Sequence, residues 1–188
     1  MLRAGGVVAY PTDTFYGLAV DPRSDEAVRR LYEVKGREEA AAIALIAADA
    51  VQAYAVGDFL PGARRLAQRF WPGPLTIVVP MAPGLSRRLS GERRTIGVRV
   101  PAHPAARALA LAVGFAITAT SANRSGTPAT CDPAEVVRGL GDRIDVLLDA
   151  GATRGGPPST LVEVVVAGPP VLHRAGAVAW ERVLESLE

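Results

Sequence analysis

The segment Thr95-Ile96-Gly97-Val98-Arg99-Val100-Pro101-Ala102-His103-Pro104-Ala105-Ala106-Arg107-Ala108-Leu109-Ala110-Leu111-Ala112-Val113-Gly114-Phe115-Ala116-Ile117-Thr118-Ala119-Thr120 decides the fold. β-Branched and aromatic residues crowd its two ends, as a pleated, half-buried strand requires. Between them, Ala, Leu and Arg form a helical stretch. Pro104 opens it at the first helical position, where a missing N–H costs nothing, and Gly114 follows it. The segment reads strand, helix, strand. Outward from it, the same alternation continues: strand-like runs at 7–10, 43–47, 75–80, 145–149, 160–166 and 171–174, and helical patterns at 25–34, 61–70, 133–140 and 179–187. Asp132-Pro133-Ala134-Glu135 is a clear helix start, with an Asp cap and a Glu placed to bond back. Such alternation predicts an α/β fold. A chain of 188 residues buries roughly 70% of its unfolded surface, enough for one core, so residues 1–188 read as a single domain.

Composition excludes several classes. The net charge is only +2, so the high pI reflects arginine in place of lysine, and no strong nucleic-acid field follows. Cys131 is the only thiol, which rules out an internal disulfide. With only His103 and His173 beside it, no zinc-ligand spacing can be assembled. No signal-type or membrane-length apolar run is present, and the expected location is cytoplasmic, away from membranes. The Gly/Pro-rich piece 151–158 is long enough to lie over a site and too short to link domains.

Lys35 is one lysine among twenty arginines, in Lys35-Gly36-Arg37 after an amphipathic segment. A compact ammonium can serve as a point charge toward a phosphate or carboxylate where a planar guanidinium cannot. It can equally be a surface lysine favouring a helix C-terminus. Polar clusters follow strands: Pro11-Thr12-Asp13-Thr14-Phe15-Tyr16-Gly17-Leu18, Thr120-Ser121-Ala122-Asn123-Arg124-Ser125-Gly126, and Ser159-Thr160 at the start of another. In open α/β sheets ligands bind beyond the carboxyl ends of strands, so these segments are candidate site positions; the same residue types also make ordinary turns. The usual Gly-rich nucleotide signatures are absent. Ser121, His103 and Asp149 could supply a hydrolytic triad by type, but Ser121 lacks the glycines of a nucleophile elbow.

Seven segments stand in one order: 10–18 as Tyr-Pro-Thr-Asp-Thr-Phe-Tyr-Gly-Leu, Lys35-Gly36-Arg37, Trp71-Pro72-Gly73-Pro74-Leu75-Thr76, Gly97-Val98-Arg99-Val100-Pro101, Thr120-Ser121-Ala122-Asn123, Ser159-Thr160-Leu161-Val162 and Arg174-Ala175-Gly176. Together they resemble the YrdC-like threonylcarbamoyl-AMP synthases, in the short form without an extra C-terminal domain. The resemblance implies a twisted open mixed sheet with flanking helices and a concave, positively charged basin. It implies formation of threonylcarbamoyl-AMP and pyrophosphate from L-threonine, bicarbonate and ATP with Mg2+, for tRNA modification. Contact with tRNA and with downstream threonylcarbamoyl-transferase proteins is part of that expectation. By the same resemblance Lys35 and Arg37 are catalytic and meet the ATP phosphates, Thr14 and Arg99 hold threonine, and Thr95, Ser121, Asn123, Ser159 and Arg174 surround the nucleotide. Residues 71–74 read as a rigid structural turn.

One stretch departs from the family. Glu38-Glu39-Ala40-Ala41-Ala42 replaces a polar, proline-containing loop, with Ala42 where Pro is expected. Two further classes are an RNA-binding module using the paired arginines 64–65, 87–88 and 93–94, which lack interleaved aromatics for base stacking, and a carbamoyl-adenylate-forming relative similar to YrdC-like domains of hydrogenase-maturation proteins.

Overall fold

The computed structural model describes residues 1–36, 42–90 and 93–188. Its centre is one nine-stranded mixed sheet. In chain order the strands are β1 (Val8–Tyr10), β2 (Gly17–Ala19), β3 (Ala44–Ile46), β4 (Leu75–Pro80), β5 (Thr95–Arg99), β6 (Ile117–Ser121), β7 (Val146–Leu147), β8 (Thr160–Glu163) and β9 (Val171–Arg174). Across the sheet the order is β7-β1-β2-β6-β3-β5-β4-β8-β9. Three pairings are parallel, β1 with β7, β3 with β5 and β4 with β8, and the others are antiparallel. The segment that decided the fold forms β5, α4 (Pro104–Val113) and β6, which flank β3 on its two sides.

Side chains alternate between two cores, as the period of two demands. Val7, Ala9, Ile43, Leu45 and Ala47 face the larger one, together with buried residues of α1 (Asp25–Lys35), α3 (Pro61–Phe70), α5 (Pro133–Leu140) and α6 (Trp180–Glu185). Val8, Tyr10, Ile46 and Ile117 face the smaller one, which Ala106 and Ala110 of α4 cover. Small alanines let α4 approach closely, and its exposed side is free of that constraint. In α1, Ser24 caps the start by accepting from the Ala27 N–H at 3.2 Å, and the buried stripe runs through Ala27, Val28, Leu31, Tyr32 and Lys35. Gly36 ends the helix at φ 58°, a left-handed conformation that favours glycine.

One strand and one α-helix were not foreseen. β2 lies inside a motif of turn formers, and α2 (Ala50–Tyr54) is a short helix capped by Asp49, which accepts from the Gln52 N–H at 2.8 Å. The run 160–166 is also shorter than expected, since pairing with β9 ends at Glu163.

Asp145 ties the sheet's edge to its covering helix. It accepts from the Val7 N–H at 2.7 Å and pairs with Arg30 of α1 at 2.7 Å. The Arg30 hydrogen bond, with the Val7 N–H, holds its carboxyl below the ordinary carboxylate range. A depressed folded pKa stabilises above the unfolded value and loses that effect as pH falls through the folded one. Asp145→Asn should therefore cost about 1 kcal/mol at neutral pH. The difference from wild type should shrink as pH falls below about 4, as read by urea unfolding across that range.

Candidate active site

Every strand except β7 contributes to the lining of one cavity of about 510 Å3. Its floor includes the small residues Gly17, Ala44 and Ala119, and among the described residues the charged side chains on its wall are Arg99 and Arg174. The cavity lies over a sheet face, which corrects the expectation of a crevice beyond the strands' carboxyl ends. Antiparallel neighbours alternate in direction, so this sheet has no common carboxyl edge, and small side chains on one face open the space instead. A depression of about 560 Å3 lies against α3 and α6, lined by Arg65, Gln68, Arg69, Arg182, Glu185 and Ser186, and holds none of the expected site residues.

The structure gathers Thr14, Arg99, Ser121, Ser159 and Arg174 on the cavity. Thr95 stands apart from this group. It stands four residues before Arg99, on the same face but roughly 13 Å along the strand, opposite Pro80, and does not line the cavity. Arg37 lies outside the described residues, as does most of the departing stretch; Ala42 is described and lines the cavity.

At one end, the loop between β1 and β2 is folded on its own hydroxyl. Thr12 Oγ1 donates to the Phe15 carbonyl at 2.6 Å and accepts from the Thr14 N–H at 3.3 Å. Tyr16 continues the frame, with its N–H on the Thr130 carbonyl at 3.0 Å and its carbonyl accepting from Ala122 at 2.8 Å. Arg99 is only 8% exposed. Its Nε donates to the Gly73 carbonyl at 2.8 Å, and Nη2 pairs with the Asp13 carboxylate. Burial lowers the Arg99 pKa, while the Asp13 charge opposes that effect. Two such acceptors hold the fork in place without using all five of its donors. The turn 71–74, read as structural, thus orients Arg99 through Gly73, and Trp71 Nε1 secures the turn by donating to the Leu75 carbonyl at 2.7 Å.

At the other end, Ser159 and Thr76 share a 2.7 Å hydroxyl contact, both being buried. Arg174 lies over them and donates from Nη2 to the Ser159 carbonyl at 2.9 Å and to its Oγ at 3.1 Å. Burial lowers the Arg174 pKa. Gly176 permits this packing, since a Cβ there would sit 2.3 Å from the Pro158 carbonyl oxygen.

Lys35 is 3% exposed, which rejects the surface-lysine reading. Its Nζ donates to the Ser121 carbonyl at 2.7 Å, to the Asn123 carbonyl at 2.9 Å and to Asn123 Oδ1 at 3.1 Å. Ser121 Oγ also donates to Asn123 Oδ1, at 2.5 Å. Lys35 and Asn123 therefore support the cavity wall at Ser121, and neither lines it. These bonds also dismiss the triad: Ser121 Oγ is engaged by Asn123, Asp149 accepts from the Gly151 N–H, and among the described residues His103 Nδ1 is buried without a hydrogen-bond partner. Asp13 and Thr12 escaped sequence reading as individual site residues, though both lie in the quoted 10–18 motif. Thr76 likewise sat in the 71–76 motif, and its partnership with Ser159 across two strands had no signal in sequence.

These strands and loops define an α/β ligand-binding domain of one family. The chain belongs to the Sua5_yciO_yrdC family, described as "Telomere recombination", which it matches over residues 1–176. It is 47% identical over 148 residues to the threonylcarbamoyl-AMP synthase of Halorhodospira halophila, covering 78% of each chain. It is similar to the Pyrococcus abyssi Sua5 structure complexed with L-threonine, at 36% identity and TM-score 0.92, covering 98% of this chain and 54% of that one. The Escherichia coli YciO structure is similar at 29% identity and TM-score 0.85, covering 97% of this chain and 88% of that one. The chain thus spans about half the length of the archaeal protein and most of the two bacterial ones.

Removing the Lys35 ammonium leaves three oxygens short of a buried donor. Lys35→Met should lower the unfolding free energy by about 3 kcal/mol. Lys35→Arg should recover only part of the loss, because a planar fork cannot aim three N–H groups at these clustered acceptors. Urea midpoints of the two variants check this, and a wild-type midpoint in Lys35→Met would refute it.

Proposed function

We propose that this chain makes threonylcarbamoyl-AMP and pyrophosphate from L-threonine, bicarbonate and ATP, as a nucleotidyltransferase supplying tRNA threonylcarbamoyladenosine modification. The observation that carries the reading is the meeting of Thr14 and Arg99 with Ser121, Ser159 and Arg174 on one cavity. Family membership and the names of its relatives support the same reading.

Arg99 grips the threonine carboxylate with the donors that Asp13 and Gly73 leave available, and Thr14 lies beside it. The threonine amine combines with bicarbonate to give a carbamate, with loss of water. A carbamate oxygen then attacks the α-phosphorus of ATP, and pyrophosphate leaves. Ser159, Arg174 and Ser121 hold the nucleotide, with Asn123 and Lys35 fixing Ser121, and Lys35 and Arg37 contribute positive charge toward the phosphates. Catalysis rests on positioning and charge stabilisation, with no covalent enzyme intermediate.

Among the described residues there is no cluster of three His, Cys, Asp or Glu. In the proposed reaction Mg2+ would enter with ATP, since this ion commonly binds through substrate phosphates with few protein ligands. A cytoplasmic site of action is part of the proposal. Among the described residues, no helix is long and apolar enough to cross a membrane. Transfer onward to tRNA requires a separate threonylcarbamoyl-transferase activity.

Pyrophosphate release should require ATP, L-threonine and bicarbonate together. Equal release from carbamoyl phosphate without threonine would move the chain to carbamoyl transfer. Arg99→Lys should raise the threonine KM about tenfold, through loss of a charge-assisted hydrogen bond, while the ATP KM stays near wild type. The opposite pattern would reverse the assignment of the two cavity ends. Cys131→Ser should retain near-normal turnover, since no step uses the thiol; a folded, ATP-binding but inactive variant would demand a covalent mechanism.

A further inference from the structure

We propose that Thr153 is a positioning residue for the amino-acid end of the cavity, an inference that rests on the threonine-binding reading of Thr14. Three donors converge on the Thr14 carbonyl: Thr153 Oγ1 at 2.5 Å, the Gly155 N–H at 2.9 Å and Cys131 Sγ at 3.5 Å. The shortest of them comes from the hydroxyl. The opposite side of the same residue is also engaged, because the Thr14 N–H donates to Thr12 Oγ1. With both backbone polar groups committed to protein, the two peptide planes flanking Thr14 are held, and so is the direction in which its side chain meets the cavity it lines.

Thr153 belongs to the Gly/Pro-rich segment, and that segment is itself secured to the loop it orients. The Tyr16 hydroxyl donates to the Gly151 carbonyl at 2.8 Å and accepts from the Ala150 N–H at 3.2 Å, while the Thr153 N–H donates to the Cys131 carbonyl at 3.0 Å. The segment is therefore a strap across the substrate loop, and its far end, Pro158 and Ser159, lines the same cavity. Loss of the Thr153 hydroxyl leaves the Gly155 N–H, the thiol and the tyrosine contacts in place. The strap then remains seated while Thr14 loses its strongest restraint, which separates positioning from folding.

The test compares Thr153→Val, which keeps the side chain's branched shape without a donor, with Thr153→Ser, which keeps the donor. In pyrophosphate-release assays, Thr153→Val should raise the threonine KM about three- to tenfold and leave the ATP KM within about twofold, with Thr153→Ser near wild type. Hydrogen exchange of amides 12–16 should quicken in Thr153→Val alone. A wild-type threonine KM in Thr153→Val overturns the proposal. So does a parallel rise in both KM values with a lowered unfolding midpoint and no rescue by serine. If the wild-type protein shows no dependence on threonine, the functional reading fails separately. Hydrogen exchange then decides the strap: faster exchange at 12–16 in Thr153→Val supports it, and unchanged exchange overturns it.

Discussion

The burial of the Lys35 ammonium against Ser121 and Asn123 is the constraint on which the site depends. A charge taken out of water must be compensated by nearby oxygens, and here those oxygens belong to the end of β6 and the turn after it. The helix that delivers the ammonium cannot shift without exposing or orphaning it. The turn cannot relax without stranding the same charge. The Ser125 N–H, donating to the Lys35 carbonyl at 2.8 Å, adds a backbone bond between the same two pieces. The cavity wall at Ser121 is thereby fixed by a contact that runs from the core outward.

The end at Arg99 is held by burial and by balance among charges. Arg99 and Arg174 line the same cavity, and the Arg174 charge itself disfavours the protonated state of Arg99. Asp13 offsets this, and its position in the β1–β2 loop makes that loop a partner of β5. Tyr10 sits beneath with its hydroxyl donating to the Thr118 carbonyl at 3.2 Å, and burial pushes its pKa up, so it remains a neutral phenol. With a guanidinium group at each end, the cavity favours an anionic occupant, because an anion offsets the repulsion between the two charges.

Much of the fold was legible because local chemistry and global packing agree. Prolines at the first position of α3, α4 and α5, the Asp132 cap and the period-two runs all mark elements that the structure contains. β2 was hidden because Gly17-Leu18-Ala19 is short and carries no β-branched residue; its pairing with β1 and β6 makes it a strand. α2 is too short for a helical period to register. At the site, the seven motifs named most of the residues, but not the way they are used. Lys35 has its charge turned toward Ser121 and Asn123, a fact set by helix orientation against β6. Thr95 shares a face with Arg99 yet lies outside the cavity, since a period of two reports the face and not the distance along it. Thr153 carried no motif at all, and its role depends on the path of a loop whose composition specified only that it was a loop.

The same geometry fits the proposed mechanism, in which the chain supplies no nucleophile of its own. Ser121 Oγ donates to Asn123, and Cys131 Sγ to the Thr14 carbonyl, so this hydroxyl and the thiol act as donors in the frame. A frame of this kind positions what it touches through hydrogen bonds. It can hold an amino acid and a nucleotide against each other for as long as its hydrogen bonds persist. In the proposed reaction the attacking group comes from the substrates, as a carbamate oxygen made in place. Its approach to the α-phosphorus is set by how firmly the two ends of the cavity are fixed relative to one another. Misplacement by about 1 Å can cost on the order of a hundredfold in rate. That sensitivity accounts for the sheet design, in which eight strands converge on one cavity and hydroxyls, rather than loops alone, lock its rim.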